Sequence, residues 1–227
     1  MTLKTSLEAQ GLYLLGVALL SRDEIERYAF PAEFSSVALV GNIGSSYWTE
    51  FSQSPEYHDQ EVDPLDRWSR RIANELAARH PVQPVFPFAG PPYFPFQRWA
   101  QRAEGIEASP LGILIHPDYG LWHSFRFALL CDLEPSDPVK SSPCLDCTSR
   151  ACLQVCPVNA VSDQGYDFVR CTTYLGENED APCHQQGCLA RYACPVAKHR
   201  QYSVEQSRFH LRASLAGRHQ ARISPSL

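Results

Sequence analysis

The chain has 227 residues, with 20 Lys and Arg against 25 Asp and Glu, for a net charge of −5. That length allows one large domain or a medium domain with a small companion, and the acidic balance argues against nucleic acid as a partner, because polyanion footprints need clustered excess Lys and Arg. At 44% hydrophobic and 11% aromatic, the composition excludes disorder and requires a packed core.

Residues 4–10 read as a short helix, and the continuous apolar run Leu12–Leu20 as a buried strand. That run is far short of the roughly 20 residues of a membrane span, and Glu8 ahead of it, with no small-residue cleavage site behind, argues against a secretory leader. Ser36–Val40 is a second β-rich run, ending at a glycine-bearing turn, Gly41-Asn-Ile-Gly44. Asp63-Pro64 predicts a helix start with a capping carboxylate and proline in the first turn. Leu65, Trp68, Ile72 and Leu76 then fall on one helical face.

Six of the 18 prolines lie between Pro81 and Pro95, so Val82–Phe88 reads as an edge strand or extended segment, and Phe96–Glu104 as a short helix. A hairpin is expected from Leu111–Pro117 and Leu121–Leu130 around Asp118-Tyr-Gly120. Pro135, Pro138 and Pro143 mark a linker. The resulting fold class is α+β: an N-terminal α/β sheet module over residues 1–135, a small cysteine module over 140–200, and a C-terminal helix and tail over 201–227. That last helix is expected from Ser203 to Ala216, stopped by Gly217.

Eight of nine cysteines fall between positions 144 and 194. Cys144, Cys147, Cys152 and Cys156-Pro157 follow the spacing C-x2-C-x4-C-x3-C-P, close to the bacterial ferredoxin pattern C-x2-C-x2-C-x3-C-P, whose last cysteine serves the other cluster. A second set, Cys171, Cys183, Cys188 and Cys194-Pro195, is less regular. If the crossing rule holds, Cys144, Cys147, Cys152 and Cys194 take one 4Fe–4S cluster, and Cys156, Cys171, Cys183 and Cys188 the other. All eight are then used. One cluster with the remaining cysteines structural is the competing arrangement; structural zinc prefers repeated C-x2-C pairs. An odd cysteine count suits a reducing, cytoplasmic setting better than a disulfide scaffold, and Cys131 reads as a small buried hydrophobe.

Ser109-Pro-Leu-Gly through Ile115-His-Pro117, with the paired cysteine sets that follow, resembles the epoxyqueuosine reductases, reductive dehalogenases and related cobalamin-dependent iron–sulfur proteins. The resemblance covers residues 105–200 at the level of motifs, and Cys183-x4-Cys188-x5-Cys194-Pro departs from the family's compact second set. It implies a nitroreductase-like N-terminal module that binds a corrinoid, a ferredoxin-like module with two 4Fe–4S clusters, a redox donor protein, and an oxidoreductase that passes single electrons to a centre or substrate.

A flavin is the weaker alternative to cobalamin, and a non-catalytic electron carrier or corrinoid-handling protein is the alternative function. Tyr93, Trp99 and Trp122 are candidates for lining a cofactor pocket. Asp118 and His116 are candidates for catalysis at the expected hairpin tip, although a turn aspartate more often shapes its own turn.

Overall fold

The computed structural model describes residues 2–138 and 142–223, with side chains as far as residue 216; the end of the tail and residues 139–141 of the linker lie outside the described residues. In chain order the elements are α1 (Leu3–Glu8), β1 (Tyr13–Leu19), α2 (Arg22–Tyr28), β2 (Ser36–Ile43), α3 (Trp48–Ser52), α4 (Pro55–His58), α5 (Pro64–Ala77), β3 (Gln83–Val85), α6 (Phe96–Glu104), β4 (Glu107–Ala108), β5 (Leu114–Ile115), β6 (His123–Cys131), β7 (Val161–Ser162), β8 (Gly165–Tyr166), α7 (Phe168–Glu177), α8 (Pro182–Gln186), α9 (Leu189–Tyr192) and α10 (Val204–Ile223).

The chain divides into two units. The first holds residues 1–106 and 123–141, the second 107–122 and 142–227. The cysteine unit therefore takes in a segment from the middle of the chain, besides everything after the proline-marked linker.

The first unit is built on a sheet in the order β1-β2-β6-β3, an α+β arrangement in which every strand pair among the described residues is antiparallel. Strand β2, SVALVGNI, is buried along almost its whole length because β1 and β6 flank it on both sides. The proline-rich β3 sits at the edge, where a missing N–H costs no ladder bond.

Helix α5 buries Leu65, Trp68, Ile72 and Leu76 as its periodicity predicts, together with Ser69 and Ala73. Asp66 of this helix accepts from Arg126 of β6 at 2.7 Å, which ties helix to sheet. Asp63 occupies the capping position, but in a left-handed conformation and with no side-chain capping bond. An aromatic nest of Tyr47, Phe51 and Trp68 closes one side of the core, with ring centroids 5.6 to 6.0 Å apart.

The expected hairpin around Gly120 is not formed. Residues 123–131 pair with β2 on one side and β3 on the other, so no edge is left for residues 111–117. Leu114–Ile115 pairs instead with Glu107–Ala108, and only the bridge between His116 and Gly120 survives at the tip. The last helix also runs past Gly217, to Ile223.

Glu104, at the end of α6, is a buried carboxyl that sequence reasoning passed over; it is 4% exposed. Gly16 of β1 makes room for it: a Cβ there would lie 2.8 Å from Glu104 Cγ and 2.9 Å from Ala103 Cβ. Burial pushes the Glu104 carboxyl up to about 8. The unfolded chain releases this proton at an ordinary carboxylate pKa, so the stability supplied by the neutral acid is full below that value and is lost as pH rises toward the native one. Urea unfolding should show a decline on the order of a few kcal/mol between about pH 5 and about pH 8, at roughly 1.4 kcal/mol per pKa unit. Glu104→Gln should remove most of that decline, whereas an unchanged slope would assign it to other groups.

Candidate metal centre

None of the nine cysteines is disulfide-bonded. The eight in the second unit sort into two groups of four by their mutual electrostatics. Burial raises Cys144 to about 11, with further contributions from the thiolates of Cys194, Cys152 and Cys147. Burial also raises Cys194, again with Cys152 and Cys147 as neighbours. Cys147 moves the other way, held low by a backbone bond from Arg150 and then by the Ser149 hydroxyl 3.7 Å from its sulfur.

In the second group burial raises Cys171, and the thiolates of Cys156 and Cys183 add to it. Cys183 is raised by burial and by Cys156, and Cys188 reaches about 11 through burial and then Cys183 and Cys171. Cys156, Cys171, Cys183 and Cys188 together wall one small apolar cavity of about 50 Å3. Cys156 thus stands with the downstream cysteines, and Cys194 with the upstream ones.

Local backbone geometry explains how the chain presents these sulfurs. A 3-10 turn over Ala151–Leu153 carries Cys152. Each Cys-Pro pair begins a repeated unit, Cys156-Pro-Val-Asn159 and Cys194-Pro-Val-Ala197, whose fourth residue has φ of 51° in both copies. Asparagine tolerates that left-handed conformation, whereas alanine adopts it at a cost of roughly 1 kcal/mol.

After the first kink a backbone N–H meets a sulfur, Ala160 N donating to Cys156 Sγ at 3.3 Å; the backbone at Val196 works against the burial that raises Cys194, and that at Arg191 and Ala190 against the burial that raises Cys188. The Cys-Pro-Val repeat was legible in the sequence and is the signal that pairs the two halves.

The cysteines also build the unit's core. One buried cluster there joins Leu111, Ile115, Leu121, Val161, Ala190 and Cys194, with Cys144, Cys152, Cys188, Leu153 and Val196 packed against it. Gly120, at φ of 59°, is held so close to the Val196 carbonyl that a Cβ would lie 2.5 Å from it. The segment 107–122 is therefore the scaffold on which the Cys194-Pro195 turn rests.

Among the described residues, no three His, Cys, Asp or Glu side chains converge on a point that one ion could occupy. All-thiol donor sets with backbone N–H groups aimed at the sulfurs fit a multinuclear cluster, whose iron charge would hold as thiolates the groups that burial and mutual repulsion otherwise keep protonated.

The other candidate residues are dispersed. His116 is buried at the 116–120 turn, where its Nδ1 accepts from Asp118 N at 3.0 Å and its ring stacks on Tyr119 at 4.1 Å; burial lowers its pKa, partly offset by Asp118. Asp118 is exposed at the same turn. Trp99 is a core residue of the first unit, and its indole N–H donates to Glu24 at 2.8 Å. Trp122 is equally buried but belongs to the second unit, under the Arg191 guanidinium and beside Tyr192 and Tyr202. Of the three aromatic candidates only Tyr93 borders open space: it is 62% exposed and lines a recess of about 500 Å3 with Arg27, Tyr28, Phe94 and Arg98. Neither Trp99 nor Trp122 lines that recess.

No protein-family model and no curated protein matches this chain. Solved structures do match it. A selenomethionine-labelled epoxyqueuosine reductase superposes with a TM-score of 0.52 at 15% identity, covering 90% of this chain and 67% of that one. The enzyme from Streptococcus thermophilus superposes with a TM-score of 0.50 at 14% identity, over 86% of this chain and 65% of that one. The chain resembles epoxyqueuosine reductase in fold.

A third epoxyqueuosine reductase structure, bound to an epoxyqueuosine-modified tRNA stem loop, matches at 17% identity with a TM-score of 0.47, over 78% of this chain and 52% of that one; a match at that level says nothing of this chain's own partners. The chain spans about half to two thirds of the length of these structures. No helix among the described residues is long and apolar enough to cross a membrane.

Cys131 stands apart from both groups. It lies in β6 of the first unit, 2% exposed, with its sulfur 3.4 Å from the Ser36 hydroxyl. Cys131→Ala should leave the metal content of the purified protein unchanged when iron is assayed; a loss of iron comparable to that of Cys144→Ala would give Cys131 a ligand's role.

Proposed function

We propose that this chain is an iron–sulfur oxidoreductase that passes single electrons through two 4Fe–4S clusters to a centre or substrate associated with its first unit. The observation that carries the reading is the partition of eight cysteines into two interleaved groups of four, one of them walling a common cavity. In this reading Cys144, Cys147, Cys152 and Cys194 hold one cluster and Cys156, Cys171, Cys183 and Cys188 the other. Each cluster supplies a one-electron carrier when bound.

The residues of the chain do the rest. The Cys-Pro-Val turns fix the fourth ligand of each set, the backbone N–H groups stabilise thiolate charge, and the apolar wall of Val161, Leu175 and Leu189 keeps water from the second group. A redox donor protein delivers the electrons. The first unit takes the part of the nitroreductase-like module in the family resemblance, with a corrinoid as the acceptor it would hold, and the recess at Tyr93 is an opening in that unit of the size usual for small-molecule sites.

Anaerobic reconstitution should yield about eight iron and eight acid-labile sulfide per chain, as two 4Fe–4S clusters require. About four of each would remove the second cluster, and zinc without sulfide would overturn the reading. Cys156→Ser should perturb the same electron paramagnetic resonance (EPR) signal as Cys183→Ser, and Cys194→Ser the same signal as Cys144→Ser; the opposite pairing would undo the exchange of ligands.

Titration with hydroxocobalamin tests the acceptor separately. A saturable shift of the corrin absorption supports a corrinoid, and its absence at excess ligand removes it. Reduced protein that is reoxidised only by a partner protein, and by no small acceptor, would make the chain an electron carrier.

A further inference from the structure

The first unit contributes none of the eight thiols, yet it carries a recess with a definite chemistry of its own. Helix α2 ends at Tyr28, and Ala29, left-handed at φ of 51°, turns the chain so that Phe30 folds back onto the Tyr28 ring. Tyr28 and Phe30 stack at 5.5 Å, Phe30 and Phe94 at 5.6 Å, and Phe94 and Trp99 at 6.1 Å. This run of rings joins the end of α2 to the start of α6. Glu24 pins the same two helices, its carboxylate accepting from Trp99 Nε1 at 2.8 Å and from Arg102 at 2.9 and 3.1 Å. The walls of the recess are therefore set before any ligand arrives, which lowers the cost of binding.

Arg27, Tyr28, Tyr93, Phe94, Gln97 and Arg98 line the opening, whose volume is about 500 Å3. No carboxylate lines it, and Glu24, one turn before Arg27, is already paired with Arg102. Both charged side chains at its wall are thus cations, in a chain of net charge −5. Arg27 lies 5.8 Å from the centroid of the Tyr28 ring, and neither it nor Arg98 makes an ion pair among the described residues. A guanidinium without a carboxylate partner is a fork of donors matched to phosphate oxygens. Tyr93, 62% exposed, presents an aromatic ring to the same opening, and such a ring stacks on any flat π-system.

We propose that this recess binds a small ligand in which a flat ring carries a phosphate, as in a free nucleoside monophosphate, with the phosphate on Arg27 and Arg98 and the ring on Tyr93. The site belongs to the first unit and needs neither cluster. Its volume is that of a small-molecule site. A nucleic-acid strand would need basic residues continuing along a groove, whereas two cations line this opening and the chain as a whole is acidic.

Isothermal titration of the reconstituted full chain with adenosine 5′-monophosphate should show saturable one-site binding, with adenosine and inorganic phosphate each weaker by roughly tenfold or more. Arg27→Gln, Arg98→Gln and Tyr93→Ala should each weaken nucleotide binding about tenfold, or about 1.4 kcal/mol, the scale of one charge-assisted bond or one stacked ring. All three positions are exposed, so thermal unfolding should be unchanged. Arg22→Gln removes a charge from the same helix outside the recess and should leave the affinity as it was. No binding up to roughly 1 mM nucleotide, inorganic phosphate or adenosine bound as tightly as the nucleotide, or unchanged affinity in the three variants would overturn the proposal. So would an equal loss on Arg22→Gln, which would mark general charge attraction; far tighter binding of a short single-stranded oligonucleotide, which would make the recess part of a strand's path; or displacement of the nucleotide by hydroxocobalamin, which would give the recess to a corrinoid. Iron and sulfide analysis tests the cluster reading independently of all these results.

Discussion

Eight thiols crowded into one small unit impose an electrostatic constraint that the rest of that unit answers. Burial favours the neutral thiol, and each thiolate makes its neighbours harder to ionise. Cys144 and Cys188, both near 11, show the two effects acting together. A compact cationic group beside the raised thiols would reverse that preference. In the second unit a backbone N–H follows the first Cys-Pro pair onto the Cys156 sulfur, and the cavity walled by Cys156, Cys171, Cys183 and Cys188 is otherwise largely apolar.

Cysteines also pack into the unit's apolar interior. One buried cluster joins Leu111, Ile115, Leu121, Val161, Ala190 and Cys194, and of the five residues packed around it all but Leu153 and Val196 are cysteines. The borrowed segment 107–122 supplies Leu111, Ile115 and Leu121. The first unit is organised by its sheet. Its central strand β2 is covered on both edges and its helix α5 buries a full apolar face. Its one unusual element is Glu104, a carboxyl kept neutral under a strand that has glycine at the point of contact.

Much of the first unit was legible because its signals are local. The apolar face of α5, the bounds of α6 and the edge position of the proline-rich β3 follow from spacing and from proline's missing donor. The hairpin expectation failed for a non-local reason. Residues 111–117 and 121–130 both look like strands, but 123–131 already has a partner on each side, and nothing in the two segments themselves announces that. Trp99 and Trp122 are buried for similarly non-local reasons, since an aromatic side chain for a pocket and one for a core look alike until packing is known.

By itself the sequence determined the donor set: eight thiols in two sets, each ended by Cys-Pro-Val, are legible because side-chain identity and turn residues are local properties. Tertiary structure alone decided which distant segment joins those thiols: residues 107–122 enter the cysteine unit, where Gly120 packs against the Val196 carbonyl. That placement depends on strand edges already occupied, since 123–131 pairs with β2 and with β3, and no spacing along the sequence encodes it.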